Sequence, residues 1–344
     1  MRIALPLVVL LGCSPAPQGR PAPARIVGGV RTNIEVFPHQ VSLSSDAGLR
    51  CSGSIVASRW VVTAAHCVAD DPAGLAIAAG VTRLSSVDDA DRIAVVRIVL
   101  HPGYDGASPP HDDVALLRLA SPLALGDDSI QAIDPVSPDD VDDGLTDPGV
   151  IATVSGWGAL ASSGPLPDAL RSVDLPIVDN AQASASYGIA ITGDLLAAGG
   201  LAHGGHDACA GDSGGPLVVP ADDGTWRLAG IVSWGHGCGV PNTPGIYTRV
   251  SYVHDWLVDT LRGHPPPACD DGEWACGDGT CIDVSWTCDG GEDCDDGSDE
   301  LDCGQSWVCA DDELLCDESW CIPVAWVCDG GADCEDESDE LDCE

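Results

Sequence analysis

The segment HDACAGDSGGPL, residues 206–217, sets Ser213 among glycines with an aspartate directly before it. A serine hydroxyl is a poor nucleophile at neutral pH, so attack on a carbonyl requires a base that takes its proton and returns it to the leaving group. His66, in TAAHC (63–67), is of the right type, and an acid behind it would fix the imidazole tautomer and steady the imidazolium that forms. HDDVALLRL (111–119) offers two such acids, Asp112 and Asp113. The glycines before and after Ser213 let the chain turn sharply, which brings the N–H groups of Gly211 and Ser213 toward one developing oxyanion. Taken singly, the three are a core histidine, a loop acid and a turn serine. Read together, they are the residue types that nucleophilic catalysis needs.

Residues so far apart in sequence need a fold that returns the chain to one place. From Ile26 to about Leu261 the sequence reads as β-structure: RIAVVRIVL, DVALLRLA, GVIATVSGWG and WRLAGIVSWG are short, aliphatic or β-branched, and parted by Gly, Pro and Asp clusters. Many short strands in one region predict antiparallel barrels, not a parallel sheet. One helix closes this region, with Ser251 as candidate cap and Val253, Trp256, Leu257 and Leu261 at helical spacing. GHPPPA (263–268) then reads as a linker.

Together these segments resemble the chymotrypsin-like (trypsin-family) serine proteases over residues 25 to about 262, with further matches at RIVGG (25–29) and SGWG (155–158). The resemblance implies an all-β fold of two antiparallel six-stranded barrels with a C-terminal helix. It implies catalysis by His66, Asp113 and Ser213 through an acyl-enzyme, an oxyanion hole from Gly211 and Ser213, and no catalytic cofactor. It favours Asp113 over Asp112, because Asp113 directly precedes the apolar strand. Arg25–Ile26 becomes an activation bond: cleavage frees the Ile26 amino group to pair with Asp212, and the chain is a zymogen.

In the same resemblance Asp207 is the acid at the base of a specificity pocket. Gly235 in SWGHGC and Gly245 in TPGIY are its walls, and Ala208 and Ser233 belong to its lining. A buried carboxylate needs a cation, so the pocket is expected to take a substrate arginine or lysine before the scissile bond. Ala208 brings no hydroxyl to assist a lysine ammonium, which favours arginine. The plainer reading of Asp207 is a solvated loop acid. Cys51–Cys67 and Cys209–Cys238 match retained family disulfides, whereas two other family pairs fall on Ala183 with Ala197 and on Ala152 with Val219. Loss in pairs leaves no stray thiol to mispair. The calcium loop of the trypsins maps onto 81–91, where Val81 replaces a carboxylate while Asp88 and Asp91 remain; no calcium is expected there.

Charge and cysteine place the chain. The formal charge is -41, no lysine occurs, no arginine follows Arg262, and nearly half of the 55 acidic residues lie beyond residue 268. Such a chain repels nucleic acid. Seventeen cysteines, twelve of them after residue 268, indicate export to an oxidising compartment. MRIALPLVVLLGC begins with one positive charge and an apolar run too short for a permanent span, which reads as a signal peptide over 1–13. It resembles a bacterial lipoprotein signal, in which Gly12 precedes a lipidated Cys13; a plain secretory signal cut a few residues later is the alternative. Residues 14–25, proline-rich, read as propeptide and tether. Cleavage at Arg25 would then release a lipid-anchored zymogen from the membrane as it activates it.

The remaining chain is a repeat. From Cys269 the gaps between cysteines are 6, 4, 6, 5 and 8 residues, and from Cys309 they are the same, shifted by 40. Six cysteines alone permit fifteen connectivities. The patterns CDGGEDCDDGSDELDC (288–303) and CDGGADCEDESDELDC (328–343) resemble low-density-lipoprotein-receptor class A modules, placed at 269–303 and 309–343. The resemblance implies the bridges Cys269–Cys281, Cys276–Cys294, Cys288–Cys303, Cys309–Cys321, Cys316–Cys334 and Cys328–Cys343. A module this small cannot bury enough apolar surface alone, and hard oxygen donors suit Ca2+, two ions in all. The implied ligands are side chains of Asp289, Asp293, Asp299 and Glu300 with carbonyls of Trp286 and Gly291, then Asp329, Asp333, Asp339 and Glu340 with carbonyls of Trp326 and Gly331. Trp286 and Trp326 beside calcium-bound acids would grip a lysine of a protein partner; stable spacers are the alternative.

The expectation is therefore an exported or lipid-anchored serine endopeptidase zymogen: peptidase domain 26–262, linker 263–268 and two calcium-dependent recognition modules. A catalytically silent binding protein of the same fold is the competing class.

Overall fold

The computed structural model describes residues 29–45, 48–69, 74–161, 164–200, 202–221 and 224–261, together with 273–275, 281–283, 313–316, 320–323, Trp286 and Asp293. Cys13, Arg25 and Ile26 lie outside these residues, as do the module disulfides and all the calcium-ligand assignments except Trp286 and Asp293.

Aliphatic runs bounded by turns become strands wherever one or both faces find a core. After β1 (Val30–Arg31), six strands close a first barrel: β2 (Gln40–Ser45), β3 (Gly48–Ala57), β4 (Trp60–Thr63), β5 (Ala76–Ala78), β6 (Ile93–Leu100) and β7 (Ala115–Leu119), in the order β2-β3-β4-β7-β6-β5. Val41, Leu43, Ile55, Val61 and Leu116 fill it and are fully buried. The second barrel follows β8 (Asp134–Pro135). It comprises β9 (Ile151–Gly156), β10 (Arg171–Val178), β11 (Leu195–Gly199), β12 (Pro216–Pro220), β13 (Trp226–Trp234) and β14 (Pro244–Arg249). These pair as β10-β11-β14-β13-β12-β9, and β9 also pairs with β10, which closes the ring. Every pairing within both rings is antiparallel. Both barrels stand as the motifs imply, and closure leaves neither with an open edge.

The four strands read from sequence form at β6, β7, β9 and β13. The helices differ from expectation in two ways. The closing helix, α3 (Val250–Leu261) once α1 and α2 are counted, starts one residue before Ser251, so Ser251 lies inside its first turn and is not the cap. Val250 is fully buried in the core of the first barrel, and its packing draws the start of the helix upstream. The expected face is correct: Val253, Trp256, Leu257 and Leu261 are all buried there. Two shorter helices were not expected. In α1 (Pro138–Asp142) Ser137 and Asp140 cap each other reciprocally, and α2 (Asn180–Tyr187) is capped by the Asp179 carboxylate.

Cys51–Cys67 and Cys209–Cys238 are both bonded. The positions of the two lost bridges are occupied by core packing. Ala183 and Ala197 are fully buried in one apolar cluster with Ile191, Leu195 and Ile246, and Ala152 and Val219 are fully buried inside the second barrel. In the tail, β15 (Glu273–Ala275) pairs antiparallel with β16 (Cys281–Asp283), and β17 (Glu313–Cys316) with β18 (Trp320–Pro323). Glu273 faces Asp283 and Glu313 faces Pro323, so the repeat of 40 residues returns the same hairpin in the same register.

Candidate active site

The cleft between the barrels receives one loop from each motif. His66 sits in a single helical turn, Ala65–Cys67, at the end of β4, with Cys67 tied back to β3 through Cys51. Its backbone N–H donates to Asp113 Oδ1 at 2.9 Å, and its Nδ1 lies 2.7 Å from Asp113 Oδ2. An ionised carboxylate only accepts, so the proton of this bond belongs to Nδ1 and the lone pair to Nε2. Asp113 is fully buried, whereas the His66 side chain is 33% exposed. Burial opposes ionisation of Asp113, but hydrogen bonds from His66 and from the Ser233 hydroxyl outweigh it and hold the carboxyl below its usual range. Thr248 Oγ1 donates to the Asp113 carbonyl at 2.8 Å. Of the acid doublet, then, Asp113 meets His66. Asp112 turns the chain with a φ of 47° and bonds neither to the histidine nor through its buried Oδ1.

The loop of Ser213 comes from the second barrel and docks on the first. Ser52 N–H donates to the Ser213 carbonyl at 2.8 Å, and Gly214 N–H to the Val232 carbonyl at 2.8 Å. A Cβ on Gly214, which has a φ of +75°, would meet Thr63 Oγ1 at 2.1 Å and the Ser52 carbonyl at 2.5 Å. Only glycine lets this loop press against the strand end that carries His66. Gly211 has a φ of +98°, and neither its N–H nor that of Ser213 donates a backbone hydrogen bond among the described residues. Two free donors at a sharp turn are what an oxyanion site requires. One expected contact is absent: among the described residues the Ser213 hydroxyl makes no hydrogen bond to His66, whose Nε2 lies 3.7 Å from Cys67 Sγ. Bonds between base and nucleophile tighten as the reacting complex forms.

Beside Ser213 opens a cavity of about 260 Å³ with Asp207 at its base. Asp207 is buried, accepts a hydrogen bond from Gly239 N–H at 2.9 Å, and is pushed up to about 6 by burial. It is not a solvated loop acid. The walls are Gly235 and Gly245. A Cβ at Gly245 would lie 2.8 Å from Asp207 Oδ1, and one at Gly235 would point across the slot to within 4.0 Å of the Gly245 Cα. A side chain on either would fill the space above the acid. Ala208 and Ser233 line the same cavity. So does Tyr247, which sequence reasoning missed, and its buried hydroxyl has no hydrogen-bond partner.

Asp212 lies behind Ser213, wholly buried. It accepts hydrogen bonds from Gly158 N–H at 2.7 Å and Cys209 N–H at 3.0 Å. A Cβ at Gly156 or Gly158 would strike it, so SGWG is the cradle of this carboxylate. Burial pushes it up to about 7, and the like charge of Asp207 adds to the rise.

Among the described residues the one group with metal-ligand proximity is Cys51, His66 and Cys67. Its two sulfurs are bonded to each other, so it holds no ion. Asp91 Oδ2 accepts from Asp88 N–H at 2.9 Å within the 81–91 loop. In the tail, Trp286 is 48% exposed and Asp293 is exposed.

Family models match the Trypsin family over residues 26–257 and the Low-density lipoprotein receptor domain class A over 267–303 and 308–343. The chain is 38% identical over 239 residues to Transmembrane protease serine 11C of Mus musculus, covering 68% of this chain and 53% of the relative. Transmembrane protease serine 9 of Rattus norvegicus is 38% identical over 259 residues, 74% of this chain and 24% of the relative. The chain thus spans about half, or less, of these longer relatives. Trypsin zeta of Drosophila melanogaster is 36% identical over 273 residues, 75% of this chain and 92% of the relative. None of the described helices is long and apolar enough to cross a membrane. Since the family model spans both barrels, and Trypsin zeta is covered over 92% of its length, the chain belongs to the trypsin family of serine proteases and carries two class A modules.

Proposed function

We propose that the protein is a serine endopeptidase that hydrolyses peptide bonds after arginine, and less readily after lysine. The observation that carries this reading is a cleft where His66, bonded to a buried Asp113, adjoins a slot ending in a second buried acid, Asp207. In the reaction Ser213 attacks the scissile carbonyl while His66 Nε2 takes its proton. Asp113 steadies the imidazolium, and the Gly211 and Ser213 N–H groups receive the oxyanion. The imidazolium then protonates the leaving amine, and water repeats the sequence on the acyl-enzyme. No step calls for a cofactor. Asp207 orients the substrate by pairing with its guanidinium, and the slot between Gly235 and Gly245 passes that long side chain and stops a branched one.

The protein is made as a zymogen. Asp212 is a buried carboxylate with two neutral donors and no cation among the described residues, and cleavage at Arg25–Ile26 supplies one in the new amino terminus. The two class A modules each bind one calcium ion through the acids named above and dock a basic protein partner. The enzyme acts outside the cytoplasm, held through Cys13 until activation. The test is titration with a serine-reactive phosphonate after cleavage at Arg25. One site per chain, lost in Ser213→Ala, is expected, followed by faster turnover of arginyl than lysyl amides. No titratable site would leave a silent binding protein, and faster cleavage after leucine or phenylalanine would overturn the assignment of Asp207. Chelation of calcium is expected to leave hydrolysis of a small arginyl amide unchanged, because no step of the proposed chemistry calls for a metal.

A further inference from the structure

A second histidine–aspartate pair stands two residues before Asp113. His111 Nδ1 lies 2.8 Å from Asp194 Oδ2, and the two residues come from different barrels, 83 positions apart. Asp194 is almost buried and is fixed on three sides. The Thr192 hydroxyl donates to its Oδ1, Arg249 N–H donates to its carbonyl at 2.8 Å, and Arg249 Nε donates to the neighbouring Gly193 carbonyl at 2.9 Å. Burial opposes its ionisation, but the bonds from Thr192 and His111 hold its carboxyl below the usual range.

The geometry points to His111 and Asp194 as positioning residues for Asp113. This rests on the reading of Asp113 as the acid behind His66. Asp112, between His111 and Asp113, is held at a φ of 47°, a left-handed conformation that costs free energy for any residue with a Cβ. Such a residue persists only where its flanks are pinned. Both flanks are pinned to the same strand of the second barrel: Thr248 holds the Asp113 carbonyl, and its neighbour Arg249 holds the segment that carries Asp194, which holds His111. The two contacts close a ring from β14 through Asp113 and His111 back to β14. With the His111 bond gone, the segment before Asp113 would lose its tie to the second barrel, and the strain at Asp112 would relax into the acid that meets His66, leaving Thr248, Ser233 and His66 itself to hold it. Small displacements of a catalytic group cost rate without costing ground-state binding.

The experiment compares activated wild type, His111→Ala, Asp194→Asn and His111→Asn, with kcat expressed per phosphonate-titrated site. His111→Ala should lower kcat about tenfold with KM for a small arginyl amide changed less than about twofold. His111→Asn, which keeps a neutral donor toward Asp194, should recover most of the loss. The downfield Nδ1 proton resonance of His66 should shift in His111→Ala and return in His111→Asn. Unchanged kcat and resonance in both His111→Ala and Asp194→Asn, even with lowered thermal stability, would reduce the pair to a surface ion pair. Failure of wild type itself to titrate would sink the catalytic reading, which keeps the two failures distinct.

Discussion

The two sides of the cleft treat buried carboxylates in opposite ways. On the first barrel Asp113 is met by an imidazole and a hydroxyl, and its proton affinity falls despite full burial. On the second barrel Asp207 and Asp212 are met, among the described residues, by backbone N–H groups alone, and burial lifts them to about 6 and about 7. The difference is one of completeness. The side that orients the base is finished by the fold itself. The side with the cavity offers its two acids no cation among the described residues, and on the proposed reading each receives one from elsewhere: a substrate guanidinium for Asp207, a new amino terminus for Asp212. On the proposed reading, the acid served by the fold acts in every turnover, and those left unserved are recognition elements.

The severest way to break the finished side is Asp113→Asn, which is isosteric but reverses the hydrogen bond to His66 and leaves Nε2 protonated. A loss of kcat of about ten-thousandfold is expected, with the fold intact, measured on small arginyl amides against phosphonate-titrated sites. A loss under about tenfold would mean that the pair at 2.7 Å does not set the tautomer.

On the unfinished side the corresponding change is Asp207→Asn. Hydrolysis of arginyl substrates should fall about a thousandfold, since the guanidinium loses its partner in a buried slot. Stability should move the other way. The folded carboxyl, at about 6, sits above its ordinary value, so its contribution to stability is fully present below ordinary carboxyl pH and is lost as pH rises through 6. At neutral pH the acid therefore weakens the fold, and Asp207→Asn should denature at a higher temperature than wild type. Equal or lower thermal stability would say that Asp207 is already paired.

The same comparison is sharpened by titration. Binding of an aryl amidine to activated Ser213→Ala requires Asp207 ionised. Affinity should be level above pH 6 and fall by about tenfold per unit below it, with one proton released per amidine bound on the acid side. Calorimetry in buffers of different ionisation enthalpy reads both quantities. An affinity that stays level well below pH 6 would place Asp207 with Asp113, among acids already answered.

Much of this was legible in the sequence, and what was not has a physical cause. The loops of Ser213, His66 and Asp207 are announced by short motifs because close packing fixes their neighbours: Gly214 must yield to Thr63, and Gly245 to Asp207. The face of α3 was legible because periodicity reports burial. Its first residue was not, because Val250 is fixed by the core of the other barrel. α1 carried a readable signal in Ser137 and Asp140, a capping box hidden in an acidic run. The donors that complete Asp113 carried none. Ser233 reaches it across 120 residues and Thr248 across 135, and only the return of both barrels to one cleft creates those bonds.

The doublet Asp112–Asp113 gives the finest test, because both acids lie on the finished side and differ in what the fold does with them. Sequence spacing does not separate them, since a histidine that needs an acid is offered two in succession. Burial does: Asp113 is wholly enclosed and takes two bonds from His66, while Asp112 turns outward with its Oδ2 toward Gly103. A carboxylate one residue from Asp113 also adds negative potential near His66, but a partly solvated charge is screened and its effect is small. Asparagine tolerates the left-handed backbone at least as well as aspartate, so Asp112→Asn changes the charge and spares the turn. Hydrolysis of small arginyl amides should therefore change by less than about threefold, against ten-thousandfold for the same substitution next door. A loss of kcat in Asp112→Asn approaching that of Asp113→Asn would mean that the two acids act as one unit, and that being answered by the fold is not what distinguishes a working carboxylate in this cleft.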